Sequence, residues 1–178
     1  VMDGPGTGEA IRFRNYFLRH DYEAAGSACV DWLEKRADVN PKKIGIVAIS
    51  LGGYYAPRCA AMEPRFAACI AWGAQWDYHD TWKKRIAASF RTALSVPGHH
   101  IEWIMGAKSV DEALRKLEPF KLDGVMQKMR CPFLLVHGAE DEQAHALRRR
   151  ARVQQVQAGR HPGQRRAHDG DEGREHHQ

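Results

Sequence analysis

The sequence predicts an α/β fold, a parallel sheet flanked by helices and carrying a helical insertion. Three short apolar runs, Ile44–Ile49, Phe66–Trp72 and Cys131–Gly138, have the length of buried strands, and the β-branched content of the first suits a strand covered on both faces. Segments of helical period alternate with them, and helix, strand, helix, strand, then later helix and strand is the order that builds a parallel sheet. A chain of 178 residues, 43% of them hydrophobic, is enough for one domain with a sizeable core and too little for two.

The elements follow in order. "DGPGTGE", Asp3 to Glu9, places three glycines and a proline in seven residues and reads as a turn. A phosphate-binding role for Gly4, Gly6 and Gly8 finds no strand before them and no Lys or Ser at P-loop spacing. Asp21 to Arg36 has apolar residues at Tyr22, Ala25, Cys29, Val30 and Leu33, the period of an amphipathic helix, with Asp21 as N-cap and basic residues in the last turn. Asn40-Pro41 turns the chain out of helix into the first strand. After Ser50, "LGGYYAPRCAAM" favours helix, with a first turn distorted by Pro57 because its ring crowds the Gly53 carbonyl.

Between the second and third strands lie about sixty residues, Gly73 to Arg130, more than a simple crossover needs. Within them, "DYHDTWKKRIAASF" and "SVDEALRKLEPF" read as helices, and Trp76, Tyr78, Trp82 and Trp103 add aromatic surface. They form either a helical insertion over one end of the sheet, about residues 74–130, or two ordinary surface helices.

Charge divides the chain at its end. Of 27 Lys and Arg and 22 Asp and Glu, eight Arg and four acids lie from Ala144 onward, a net +4, which leaves +1 for residues 1–143. The body has no basic face to suggest nucleic acid. Residues 144–178 contain no Phe, Trp or Tyr, and their large aliphatics are Leu147, Val153 and Val156. Such a segment buries too little to offset its ordering entropy. It is expected to be disordered, or the product of a reading frame that slipped near Gln143. The chain opens on Val1 directly before Met2, so its true start is expected upstream.

Cys29, Cys59, Cys69 and Cys131 form no Cys-x-x-Cys pair and sit in or beside apolar runs, as buried free thiols of a reducing compartment do. No apolar run approaches the roughly 18 residues of a membrane span and no signal peptide opens the chain. A cytoplasmic protein is expected.

The stretch with the most chemistry is "VAISLGGYY", Val47 to Tyr55. A serine hydroxyl is a weak attacker and must be exposed, near a base and near oxyanion donors. A sharp strand-to-helix turn exposes it above the carboxyl edge of the sheet, and small neighbours let the cramped turn form. Ala48, Gly52 and Gly53 are such neighbours, and the Leu51 N–H is the candidate oxyanion donor, backed by the helix dipole. The plainer alternative has Ser50 capping the helix. The orienting acid should follow a later strand; "AEDEQ" offers Glu140, Asp141 and Glu142, with Asp141 preferred and Glu140 second. The base should be a later histidine: His145, His161, His168, His176 or His177. His176 follows an acidic, Gly-containing turn at a spacing from Asp141 that admits one helix and one strand, and imidazole can take and return the serine proton. No cofactor is expected, and no histidine spacing specifies a metal site.

Together, "VNPKKIGIVAISLGGYYAPRCAAMEPRFAACIAWGA", "CPFLLVHGAEDEQ" and "DGPGTGE" resemble the α/β-hydrolase superfamily. More narrowly they resemble the branch of 2,6-dihydroxypseudooxynicotine hydrolase, the FrsA-type esterases and fungal pigment hydrolases that shorten polyketides. The resemblance covers Asp3 to about Gln143. It implies a partial α/β-hydrolase fold over residues 1–143, Ser50 as nucleophile and Asp141 as acid; "DGDEGREHH" is only loosely similar to the histidine loop. It implies a serine hydrolase acting on an ester, or on a carbon–carbon bond β to a carbonyl, in a small-molecule substrate. Family members carry further strands and a helical domain before the "DGPG" loop, which supply the second oxyanion donor. A chain lacking that donor would lose about 10² to 10³ in rate. The competing class is a noncatalytic module whose "LRRRAR" tail binds acidic partners or RNA in a salt-sensitive way.

Overall fold

A computed structural model describes residues 1–89 and 98–137. Its sheet contains three strands, β1 (Gly45–Ile49), β2 (Ala68–Trp72) and β3 (Phe133–Val136), in the order β1-β2-β3 with both pairings parallel. The six α-helices of the described residues are α1 (Gly8–Arg14), α2 (Glu23–Leu33), α3 (Gly52–Met62), α4 (Tyr78–Ser89), α5 (Gly98–Met105) and α6 (Val110–Leu117). The α/β alternation expected from the apolar runs is therefore present, with each strand shorter than its run. Helices α1 and α5 have no counterpart in the sequence reading.

Helix α3 fills the crossover between β1 and β2 and is the most enclosed element, buried from Gly52 through Ala61. Its first turn is tight: the Gly53 N–H donates to the Ser50 carbonyl at 2.8 Å and the Tyr54 N–H to the Leu51 carbonyl at 2.9 Å. Further along, Pro57 has no N–H, which leaves the Gly53 carbonyl without its usual helical donor. Helix α2 lies close against α3, because a methyl group on Gly26 would meet Cys59 Sγ at 2.8 Å. A bidentate pair, Arg58 Nη2 to Glu23 Oε1 at 2.8 Å and Arg58 Nε to Glu23 Oε2 at 2.5 Å, closes the rim of that contact.

Three expectations need correction. Asp21 does not cap α2: the N-cap position is Tyr22, and the Asp21 carboxylate is held by Arg19, which lowers its pKa to about 2. The helix ends at Leu33, so Lys35 and Arg36 lie beyond its last turn. Among the described residues strand β1 is not covered on both faces, since Val47 and Ile49 are 65% and 62% exposed while Ile46 and Ala48 turn inward. Cover comes from α3 on one side, and among the described residues β1 pairs only with β2.

All four cysteines are free; Cys59 and Cys69 are buried, whereas Cys29 and Cys131 are only partly so. Among the described residues no helix is long and apolar enough to cross a membrane.

Candidate active site

Strand register places the candidate site. Ile49, Trp72 and Val136 are paired across the three strands, so the residues that follow, Ser50, Gly73 and His137, stand in a row along the carboxyl edge of the sheet. Parallel strands are about 4.8 Å apart, which puts Ser50 and His137 roughly 10 Å from one another.

Ser50 is exposed and has φ 59°, left-handed backbone that a residue with a Cβ rarely adopts. Holding it there costs on the order of 1–3 kcal/mol and requires surroundings that over-determine the conformation. They are visible on both sides: the Ser50 N–H donates to the Trp72 carbonyl at 2.8 Å, and the Ser50 carbonyl accepts from Gly53 at 2.8 Å. The capping alternative does not describe this corner. The N-cap position of α3 is Leu51, no side chain caps the helix, and a serine cap would sit in extended backbone. Among the described residues the Leu51 N–H has no backbone acceptor.

Small residues make the corner possible. A methyl group on Gly52 would stand 2.4 Å from Ala48 Cβ. Alanine is therefore accommodated at position 48 because position 52 has no side chain. Gly73, with φ 77°, ends β2 in a left-handed turn while its N–H still donates to the Val136 carbonyl at 2.8 Å.

Beyond Gly73 the chain is tied to the helical segment. The Tyr78 N–H donates to the Phe120 carbonyl, the Leu122 N–H to the Trp76 carbonyl, both at 3.0 Å, and Trp76 Nε1 to Asp123 Oδ1 at 2.8 Å. Aromatic rings gather behind this strap: Tyr22 stacks on Tyr55 at 3.7 Å, and Phe120 packs on Tyr54 and Tyr78. Burial raises the pKa of Tyr54 to about 12 and pushes up those of Tyr55 and Tyr78. Helix α5 adds His100, which stacks on Trp82 and whose pKa is lowered by burial and by His99 and Arg85.

Of the residues singled out from the sequence, Ser50 and Leu51 meet at the β1–α3 corner. Asp141, Glu140, Glu142 and the histidines His145, His161, His168, His176 and His177 lie outside the described residues, as does the tail. Among the described residues no group of three His, Cys, Asp or Glu side chains converges as a metal site would. Sequence reading missed the left-handed Gly73, whose only signal was a glycine directly after an apolar strand.

A parallel sheet with a left-handed serine at a strand-to-helix corner defines the α/β-hydrolase class. Residues 24–165 match the model of the prolyl oligopeptidase family, and the chain belongs to that family. It is 36% identical over 145 residues to a 2,6-dihydropseudooxynicotine hydrolase of Paenarthrobacter nicotinovorans, a match covering 80% of this chain and 36% of the relative. It is 28% identical over 169 residues to hydrolase acrC of Aspergillus aculeatus, covering 79% and 39%. The crystal structure of a 2,6-dihydroxy-pseudo-oxynicotine hydrolase superposes with a TM-score of 0.65 at 34% identity, over 77% of this chain and 36% of that one. The chain thus spans less than half the length of these relatives.

Proposed function

We propose that the chain carries the nucleophile corner of a serine hydrolase that cleaves an ester, or a carbon–carbon bond β to a carbonyl, through an acyl-enzyme. The observation that carries this reading is the left-handed φ of an exposed Ser50. Strain of this kind is retained where it serves a purpose, and a surface serine with no reaction to perform would gain stability by relaxing. Relatives named as hydrolases support the same reading.

In the reaction, Ser50 Oγ attacks the substrate carbonyl carbon and its proton passes to the base, assigned to His176 with Asp141 orienting it. That assignment rests on the chain order Ser, Asp, His and on family resemblance. Negative charge collects on the carbonyl oxygen, and the Leu51 N–H at the head of α3 is placed in sequence to meet it, with the helix's partial positive charge behind. Collapse expels an alkoxide from an ester, or a carbon stabilised by its neighbouring carbonyl, and the base returns its proton to that group. Water then repeats the sequence on the acyl-serine and releases the acid.

The substrate is a small molecule, and no cofactor takes part. We place the catalytic domain at residues 1–143, with residues 74–130 as its helical insertion, and the protein in the cytoplasm, where free thiols persist. The test is pre-steady-state hydrolysis of a p-nitrophenyl ester by the full-length chain. A burst of p-nitrophenol that disappears in Ser50→Ala is expected; equal turnover by Ser50→Ala would refute the serine route.

A further inference from the structure

The β2–α4 corner packs against the serine corner by backbone alone. A methyl group on Gly53 would lie 2.5 Å from Ala74 Cα, 2.6 Å from the Gly73 carbonyl oxygen and 2.9 Å from the Ala74 nitrogen. All three atoms are main chain, so none could rotate aside. Ala74 is 2% exposed and Gly53 is buried, so the contact is sealed from solvent. On the other side of the same turn, a methyl group on Gly73 would fall 3.7 Å from the Ser50 nitrogen and 3.8 Å from Ser50 Cα, ordinary contact distances. Trp72, immediately before Gly73, accepts the Ser50 N–H, and Gly73 itself donates to Val136 of β3.

We propose that Gly73 is a positioning residue for Ser50, acting through the contact of the Gly73–Ala74 peptide with Gly53, the small residue of the serine corner. The Gly73–Ala74 peptide abuts the first turn of α3 at Gly53 and fixes the distance between that turn and the end of β2. Ser50 is suspended between the two, bonded to β2 through its N–H and to α3 through its carbonyl. Its left-handed backbone, and the direction of the Leu51 N–H that follows, are set by how closely these bodies approach. The left-handed Gly73 lets the chain leave the β2 ladder and cross Gly53 within one residue. This inference rests on the reading of Ser50 as nucleophile.

The probe is a fluorophosphonate, reacted with the full-length chain at several concentrations and followed by intact-mass spectrometry. Two variants are compared. Gly53→Ala forces the two corners apart by about 1 Å, a displacement that can cost on the order of 10²-fold in rate. Gly73→Ala adds no overlap and strains only the left-handed turn, and its maximal rate is expected to fall about ten-fold. In both, the maximal labelling rate should drop while the concentration for half-maximal rate stays within about two-fold. A purely structural role would instead reduce the fraction of molecules that label and leave the rate of the rest unchanged. That outcome, or wild-type rates in both variants, would overturn the inference and leave the nucleophile standing. No labelling of the wild-type chain above Ser50→Ala would overturn the nucleophile reading and the inference with it.

Discussion

Gly52→Ala tests the corner most sharply, because its obstacle is a single atom. The added methyl would stand 2.4 Å from Ala48 Cβ, whereas carbon atoms pack at about 3.5–4.0 Å, so strand and helix must separate by more than 1 Å. Overpacking costs about 1–3 kcal/mol, and an obstacle fixed to the strand backbone puts this case at about 2–3 kcal/mol. Replacing a helical glycine with alanine returns about 0.5–1 kcal/mol, so the single variant should be less stable by about 1–2 kcal/mol. For a chain of this length that lowers Tm by roughly 2–8 °C. Ala48→Gly/Gly52→Ala moves the methyl from one side of the contact to the other and removes the overlap. The double variant should recover most of the loss, with a coupling of at least about 1 kcal/mol between the sites. Thermal denaturation followed by circular dichroism measures all four proteins. A Gly52→Ala chain as stable as wild type, or a double variant no better than Gly52→Ala, would refute the packing assigned to the corner.

Other consequences concern the body around the site. Tyr55 Oη is buried with no hydrogen-bond partner among the described residues, a condition that costs about 1–3 kcal/mol, so Tyr55→Phe should match or exceed wild-type stability in urea titration. Destabilisation beyond about 1 kcal/mol would show that the hydroxyl has a partner. Glu63 is held by Arg65, which lowers its pKa from 4.5 to about 2. Its contribution is fully present above pH 4.5 and is lost as pH falls through about 2. Glu63→Gln should therefore lose about 1–2 kcal/mol at neutral pH, discounted for the partly exposed Arg65, and show a flatter acid limb in pH-dependent melts. Burial raises the Cys59 and Cys69 thiols to about 12, so at about pH 8 a disulfide reagent should modify Cys29 and Cys131 in the folded chain and reach the other two only on unfolding.

What the sequence made legible follows from how local each signal was. The three strands and α3 were readable because short continuous apolar runs and an Ala-rich stretch need no partner to be recognised. Strand β1 was read as buried on both faces because its composition suits such burial, but Val47 and Ile49 are bare on one side, and cover is a tertiary property. Helix α1 was hidden because it begins at Gly8, inside a glycine-rich loop that argues for a turn, and α5 because it begins at Gly98 and its apolar stripe, Ile101, Ile104 and Met105, spans little more than one turn. At the site, Ser50 was legible from its small neighbours, whereas the contacts of Gly53 with Ala74 and of Gly52 with Ala48 depend on the crossing of helix and strand. Asp21 misled for a related reason: an acid before a helix is a good cap, yet Arg19, two residues away, competes for the same carboxylate.

The most direct measurement is peptide mapping of the full-length chain after reaction with a fluorophosphonate. If Ser50 is the nucleophile, one adduct forms, it lies on Ser50, and Ser50→Ala carries none. A folded chain that acquires no adduct, or carries it on another serine, would contradict the assignment of the left-handed corner as a catalytic one.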